Sequence, residues 1–341
     1  MQTRISGLAV CLALTTPSVY AQLSGANQQV DTVQQRRELQ ESAQALGGTN
    51  SVPELYSGEA DDVGPQSVLQ PRHRRTLFEA YGDAQYFYTD NMFLASQGKQ
   101  GADVLVSTVQ AALAPAPAAF AGGELAWRAG YQHQWFNYDL AGADSLTVFD
   151  SHTSSIRNVG LDAFNFNAST AFGDITWRRA NWVFAAGLDF RRLLDSSDYS
   201  EFYREYVPHW SFRRSFTLSE NTAISLGYEG DYRGTKTMLP PGSYSTGYND
   251  RTDHSLVLVG SWRLCQHAVL QPFYRFQYTH YTDIQRTDYL HSLGLTLYCP
   301  VTANVTFRAF AGYDTLNTDG FYAQNYDKLD LGGGLNLTVR F

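Results

Sequence analysis

The chain lacks several features that define common protein classes. Three cysteines among 341 residues, Cys11, Cys265 and Cys299, exclude a disulfide scaffold. Charged residues make up only 17%, and of the 25 cations just three are lysines: Lys99, Lys236 and Lys328. The formal net charge is −8 and no block of Lys or Arg stands out, so no nucleic-acid partner is expected. Long apolar runs are missing as well. Beyond the N-terminus the nearest stretch, Val104 to Ala121, is interrupted by Gln110, Pro115 and Pro117. A spanning helix needs about 20 consecutive apolar residues. His, Cys, Asp and Glu show no metal-ligand spacing and no Gly-rich phosphate loop is present, so neither a metal nor another cofactor is expected.

Aromatics and glycine are plentiful instead. The chain holds 22 Tyr, 20 Phe, 6 Trp and 28 Gly. A disordered chain would be poor in aromatics and rich in charge. An all-β chain fits.

Residues 1–21 read as a secretory signal: Arg4, an apolar run from Gly7 to Leu14, then Ser18-Val19-Tyr20-Ala21 before Gln22. Cys11, preceded by Val10 within that run, fits a lipoprotein cleavage box poorly. Its removal leaves Cys265 and Cys299 in a compartment where a disulfide can persist. Both fall at expected short turns, where they either bridge on one rim or remain free thiols. Residues 22–75 are polar and Gln-rich, with Tyr56 their only aromatic. Asp31 and Gln34 resemble a capping box and Gly47-Gly48 a stop, which predicts a helix over roughly 31–46. Its apolar stripe of Val30, Val33, Leu39, Ala43 and Leu46 is broken at Arg36-Arg37, so the helix needs a docking surface or partner helices. This segment reads as a periplasmic extension, a plug or a coiled coil that joins copies of the chain. A linker over 49–75 follows, with an acidic cluster at Glu59, Asp61 and Asp62 and a basic one at Arg72, Arg74 and Arg75.

From residue 76 the hydrophobic period is two. In the last segment Leu329, Leu331, Gly333, Leu335, Leu337, Val339 and Phe341 alternate with Asp330, Gly332, Gly334, Asn336, Thr338 and Arg340. Residues 182–191, 223–233 and 304–314 repeat the pattern. Such strands exceed the usual five or six residues of globular sheets. Aromatics gather towards strand ends, as at Tyr86, Phe87 and Tyr88, at Trp135, Phe136 and Tyr138, and at Phe276, Tyr278 and Tyr281. The polar face carries arginines and carboxylates, which a sandwich core would not tolerate unpaired. A transmembrane antiparallel up-and-down β-barrel accommodates all of this. Strands are expected at roughly 76–89, 101–112, 122–138, 157–172, 181–194, 201–218, 222–236, 251–264, 268–283, 286–299, 303–316 and 326–341, about 12 in all. Over 157–180 the apolar face switches from Val159 and Leu161 to Phe164, Phe166 and Ala168, which a β-bulge would explain.

Arg340-Phe341 at the end of an amphipathic last strand resembles the C-terminal signature of Gram-negative outer-membrane β-barrel proteins over residues 76–341. The resemblance implies an outer-membrane location, outer-membrane lipid as a neighbour, and Phe341 as the residue presented to the barrel-assembly machinery.

With the polar face inward, the lumen is lined by Glu79, Asp83, Arg128, Asp189, Arg191, Arg213, Glu229, Asp231, Arg233, Arg263, Arg275, Arg308, Asp314, Asp330 and Arg340. Charges of both signs either build a transverse field that aligns dipolar solutes or pair across a narrow interior. Arg214 falls on the apolar face and is expected near an interface. His209-Trp210-Ser211 has the His-x-Ser spacing of outer-membrane phospholipases, but the neighbouring motif residues of that family are missing. Asp253-His254-Ser255 and His291-Ser292 are weaker still, so no enzyme is expected. Gly332-Gly333-Gly334 keeps period two and reads as relief of crowding or a bend in the wall. The chain reads as an outer-membrane channel for small polar solutes. The alternatives are an export pore gated by the N-terminal segment, resembling the functional-amyloid exporters, and a structural barrel with an occluded lumen.

Overall fold

The structure, a computed structural model, describes residues 12–13, 17–46, 77–140, 145–150, 155–239, 243–247, 249–265, 268–320 and 323–341. Within helix α1, Pro17–Leu46, side chains are described for residues 25–39. Twelve long strands follow: β1 Phe78–Thr89, β2 Ala102–Leu113, β3 Gly123–Tyr138, β4 Phe166–Arg179, β5 Trp182–Asp195 and β6 Glu201–Ser219. The second half comprises β7 Thr222–Leu239, β8 Arg251–Cys265, β9 Ala268–Tyr281, β10 Thr287–Pro300, β11 Val305–Thr318 and β12 Tyr326–Arg340. Each pairs antiparallel with its sequence neighbour, and β12 pairs with β1 from Arg340↔Glu79 to Asp330↔Thr89. The meander is closed, and no long edge is left to pair with another chain.

Closure is completed at the chain's end. Phe341 exchanges backbone hydrogen bonds of 2.9 and 3.0 Å with Phe78 and stacks on its ring at 5.9 Å. The two termini of the barrel and the turns at 180–181, 220–221 and 301–304 share one rim. The loops at 90–101, 196–200, 282–286 and 319–325 lie on the other. In outer-membrane barrels short turns are periplasmic and longer loops extracellular. At the extracellular rim, loop 90–101 is fastened to β12 by Asn91, whose Nδ2 donates to the Asp327 carbonyl at 2.8 Å, and by Lys99, which binds the Asp327 carboxylate. That hydrogen bond raises the Lys99 ammonium above its ordinary pKa.

Between β3 and β4 the structure differs from the sequence reading. Residues expected to begin a strand at 157 form instead the second arm of a loop hairpin, Ser145–Asp150 with Ser155–Gly160. A 3-10 turn, Leu161–Phe164, then leads into β4 at Phe166. The switch of apolar face is thus a boundary between two elements and not a bulge. The linker expected at 49–75 lies outside the described residues.

Cys265 and Cys299 are free thiols. Both are near the periplasmic rim, but β9 runs between their strands, and they fall on opposite faces of the wall. Two strand spacings amount to about 9–10 Å, beyond the ~7 Å that a disulfide spans between Cα atoms.

The wall has two unlike faces. Outward lie Val109, Ile175, Leu188, Leu226, Leu256, Leu293, Leu331 and Leu335. Trp127, Trp177, Trp182, Phe216 and Trp262 ring the periplasmic end, and Tyr86, Tyr88, Tyr206, Tyr232 and Tyr289 the extracellular end. Those are an apolar band and two interfacial girdles. Four of the nine expected girdle residues face inward, because side chains alternate along a strand. Phe87, Phe136, Tyr138 and Tyr281 are buried within the barrel.

Candidate functional site

The lumen holds α1. Its side chains touch strands all round the wall, which places the helix inside the barrel. Arg36 bonds Asp330 of β12 at 2.7 Å, and its guanidinium lies 4.8 Å from the Phe87 ring of β1 and 4.0 Å from the Phe310 ring of β11. Arg37 bonds Gln132 of β3 at 2.8 Å and also Gln110 of β2. Asp31 lies between Arg191 of β5 and Arg233 of β7, each at 2.8 Å. Leu39 packs with Val257 and Val259 of β8. Twelve strands enclose more space than the eight that side chains alone can fill, and a helix with its side chains is about 10–12 Å across.

The direction of the helix follows from these contacts. Ala26, Val30 and Val33, spaced i, i+4 and i+7, share one face and join Met92, Val104, Phe136, Leu161, Phe166 and Leu193 in an apolar core under the extracellular loops. Arg37 and Leu39 lie lower, towards the rim of turns. The N-terminal end of the described segment therefore points to the extracellular side.

All the sequence-expected lumen residues fall on the lumen register. They are Glu79 and Asp83 of β1, Arg128 of β3, Asp189 and Arg191 of β5, and Arg213 of β6. On the later strands they are Glu229, Asp231 and Arg233 of β7, Arg263 of β8, Arg275 of β9, Arg308 and Asp314 of β11, and Asp330 and Arg340 of β12. The structure pairs most of them: Arg308 with Asp83 at 2.7 Å, Arg340 with Glu79 at 2.8 Å, and Arg233 with Asp231 at 3.0 Å. Arg213 and Arg275 approach Glu229 at 3.5 and 3.7 Å.

Sequence reasoning missed the residues that knit these pairs to the helix. Glu205 forms an ion pair with Arg191 at 2.9 Å, and Asp253 with Arg233 at 3.0 Å and Arg251 at 3.2 Å. Lys328 stands 3.3 Å from both Asp314 and Asp330. The alternation of Arg213, continued back along β6 through His209, would have placed Glu205 on the same face.

Arg214 faces outward near the periplasmic rim, stacked 4.8 Å from both Trp182 and Phe216. Its stem lies along apolar surface while the charge reaches the interface. His209 and Ser211 both face the lumen, yet the His209 ring is directed to Asp174 at 3.1 Å. Asp253-His254-Ser255 and His291-Ser292 are split between faces, with His254 and His291 outward on Tyr228 and Tyr274 at 2.7 and 2.8 Å. An outward cluster that the sequence did not reveal joins His133 to Ser169 at 2.9 Å and Tyr131 to Ser169 at 3.0 Å. Among the described residues no carboxylate orients His133.

No protein-family model and no curated protein sequence matches the chain. Solved structures of similar outline include the β domain of the Bordetella autotransporter BrkA, 14% identical, covering 78% of this chain and 100% of that one, TM-score 0.44. An outer membrane channel from Pseudomonas putida F1 is 10% identical over 78% of this chain and 96% of that one, TM-score 0.47. An anion-selective porin from Comamonas acidovorans is 9% identical over 77% and 98%, TM-score 0.36. Closure of twelve antiparallel strands around a charged interior, with an apolar exterior rimmed by aromatics, makes this chain a transmembrane β-barrel of the bacterial outer-membrane type.

Proposed function

We propose that the chain is an outer-membrane pore gated by its own N-terminal helix, closed while α1 occupies the lumen and conducting polar solutes when it leaves. The observation that carries this reading is the mode of attachment: Arg36 to Asp330, and Asp31 to Arg191 and Arg233. Besides the apolar contacts of Ala26, Val30, Val33 and Leu39, charge holds the helix to the wall. A buried ion pair adds little net stability over an apolar replacement. The helix also buries both amide atoms of Gln29 and the Asn27 Oδ1 without a hydrogen-bond partner among the described residues. Each such group opposes docking. Beside the lower part of the helix, the lumen wall of Arg213, Glu229 and Arg275 offers both signs of charge to a passing polar solute.

In this reading the lower end of α1 and Leu77 both face the periplasmic rim of turns. No catalysis is involved, as His209 is turned from Ser211 towards Asp174. Removal of the signal after Ala21 leaves the lumenal part of α1 intact. The double variant Asp31→Asn, Arg36→Gln tests the gate in planar bilayers. Loss of the two anchors is expected to weaken docking by about 2 kcal/mol, which shifts the closed-to-open ratio roughly 30-fold. Openings therefore become frequent. Gating identical to that of the unaltered chain sinks the reading.

A further inference from the structure

On the lumen wall, apart from the residues that hold the helix, three ligand-bearing side chains converge from neighbouring strands. Register sets Asp174 of β4, Gly187 of β5 and His209 of β6 side by side, and Asp189 follows Gly187 by two on the same face. One ligand atom from each of Asp174, Asp189 and His209 lies within 4.8 Å of the others. We propose that this cluster is a binding site for a divalent transition-metal ion of the zinc class. It would be held by two carboxylate oxygens and one imidazole nitrogen, with the fourth position open to the lumen.

Five features build the site. His209 Nδ1 is 3.3 Å from the Val207 carbonyl oxygen, to which it donates. That bond fixes the ring and aims Nε2 at Asp174 Oδ1, 3.1 Å away. Metal-bound histidines are oriented in this way by their other nitrogen. Asp189 is only 5% exposed, has no hydrogen-bond partner among the described residues, and aims its carboxylate into the cluster. Arg128 Nε occupies the far oxygen of Asp174, Oδ2, at 2.8 Å, which leaves Oδ1 to the site. Arg191, the next residue on this face after Asp189, is committed to Asp31 and Glu205. Finally, a Cβ at Gly187 would stand 2.4 Å from Asp174 Oδ1 and 2.5 Å from His209 Nε2. Only glycine there lets the two ligands meet across β5.

The donor set selects the ion. One imidazole and two carboxylates, with room for a water or solute, match the open sites of zinc. Two carboxylates against the single Arg128 also leave a net negative charge facing the ion. The site stands apart from the anchors of the gate: among the described residues none of its ligands is bonded to α1.

The test uses the full mature chain, without a histidine tag, purified in detergent, stripped with EDTA and titrated with Zn²⁺ against a chromophoric chelator. One Zn²⁺ per chain is expected. Asp189→Asn and His209→Gln should each weaken binding by at least about tenfold. Gly187→Ala should do the same while every ligand remains. Heat-modifiable migration verifies closure of each variant, and Asp174→Asn replaces any that does not close. Absence of stoichiometric binding by the unaltered chain overturns the proposal, as does equal affinity in the closed variants. The first result would mean that His209 is held as an imidazolium between its two carboxylates.

Discussion

Deletion of residues 22–46 raises single-channel conductance in planar bilayers on the order of tenfold, since the helix removed is about 10–12 Å across and takes up most of the lumen. The deletion leaves the strands and their pairing intact, so the variant still closes. It does lose contacts: Val30 and Val33 are buried in the core under the extracellular loops, each contributing about 2 kcal/mol. Asp330, Arg191 and Arg233 keep partners on the wall in Lys328, Glu205 and Asp253. No buried charge is thereby stranded, and the barrel should lose far less stability than removal of a core helix would cost a globular domain. An unchanged current in the deleted chain would show that the helix does not limit flow.

The second large effect lies at the seam. Gly332 of β12 faces the lumen where that strand pairs with β1, opposite Phe87. A Cβ at this position would stand 2.3 Å from Phe87 Cβ, 2.4 Å from the Tyr86 carbonyl oxygen and 2.6 Å from Phe87 Cα. These atoms belong to or adjoin the backbone and cannot swing away. Gly332→Val should therefore cost more than about 4 kcal/mol and prevent β12 from zipping onto β1. The barrel then loses its heat-modifiable migration and becomes sensitive to protease. Gly312→Ala, on the same face of the neighbouring β11 and with open space around it, is the matched control and should fold normally. Equal folding of the two variants would refute the steric account of the seam.

Gly332-Gly333-Gly334 shows how far the sequence can be read. Its period-two context marked the stretch as wall rather than phosphate loop, and relief of crowding is what the geometry of Gly332 requires. Strand count, closure and the inward register of the charged residues were all legible, because alternation is a local property of the chain. What alternation could not supply was the content of the lumen. Near the extracellular rim the inward face becomes apolar, with Phe166 and Ala168 of β4 packing in the core that includes Val30 and Val33 of α1. Read without the helix, those residues look lipid-facing, which is why the pattern suggests a strand from 157 where β4 begins at Phe166. The stripe of Val30, Val33 and Leu39 called for a docking surface but could not name it. Arg36 and Arg37, which seemed to break the stripe, are the residues that bind the wall. The lumen roles of Glu205, Asp253 and Lys328 rest in part on partners on neighbouring strands, Arg191, Arg233 and Asp314, which alternation within one strand does not specify.

The free thiols permit a direct test of where the helix lies. In a Cys265→Ser, Cys299→Ser background, Arg36→Cys and Asp330→Cys place one thiol on the helix and one on β12, where the native side chains meet at 2.7 Å. A bis-maleimide with the reach of an Arg–Asp pair is applied to intact outer membranes, and the chain is then cut within 47–76. Occupation of the lumen predicts that the helical fragment stays covalently attached to the barrel, and that either single-cysteine variant releases it. Release of the fragment from the double-cysteine chain would contradict the placement of α1 inside the barrel.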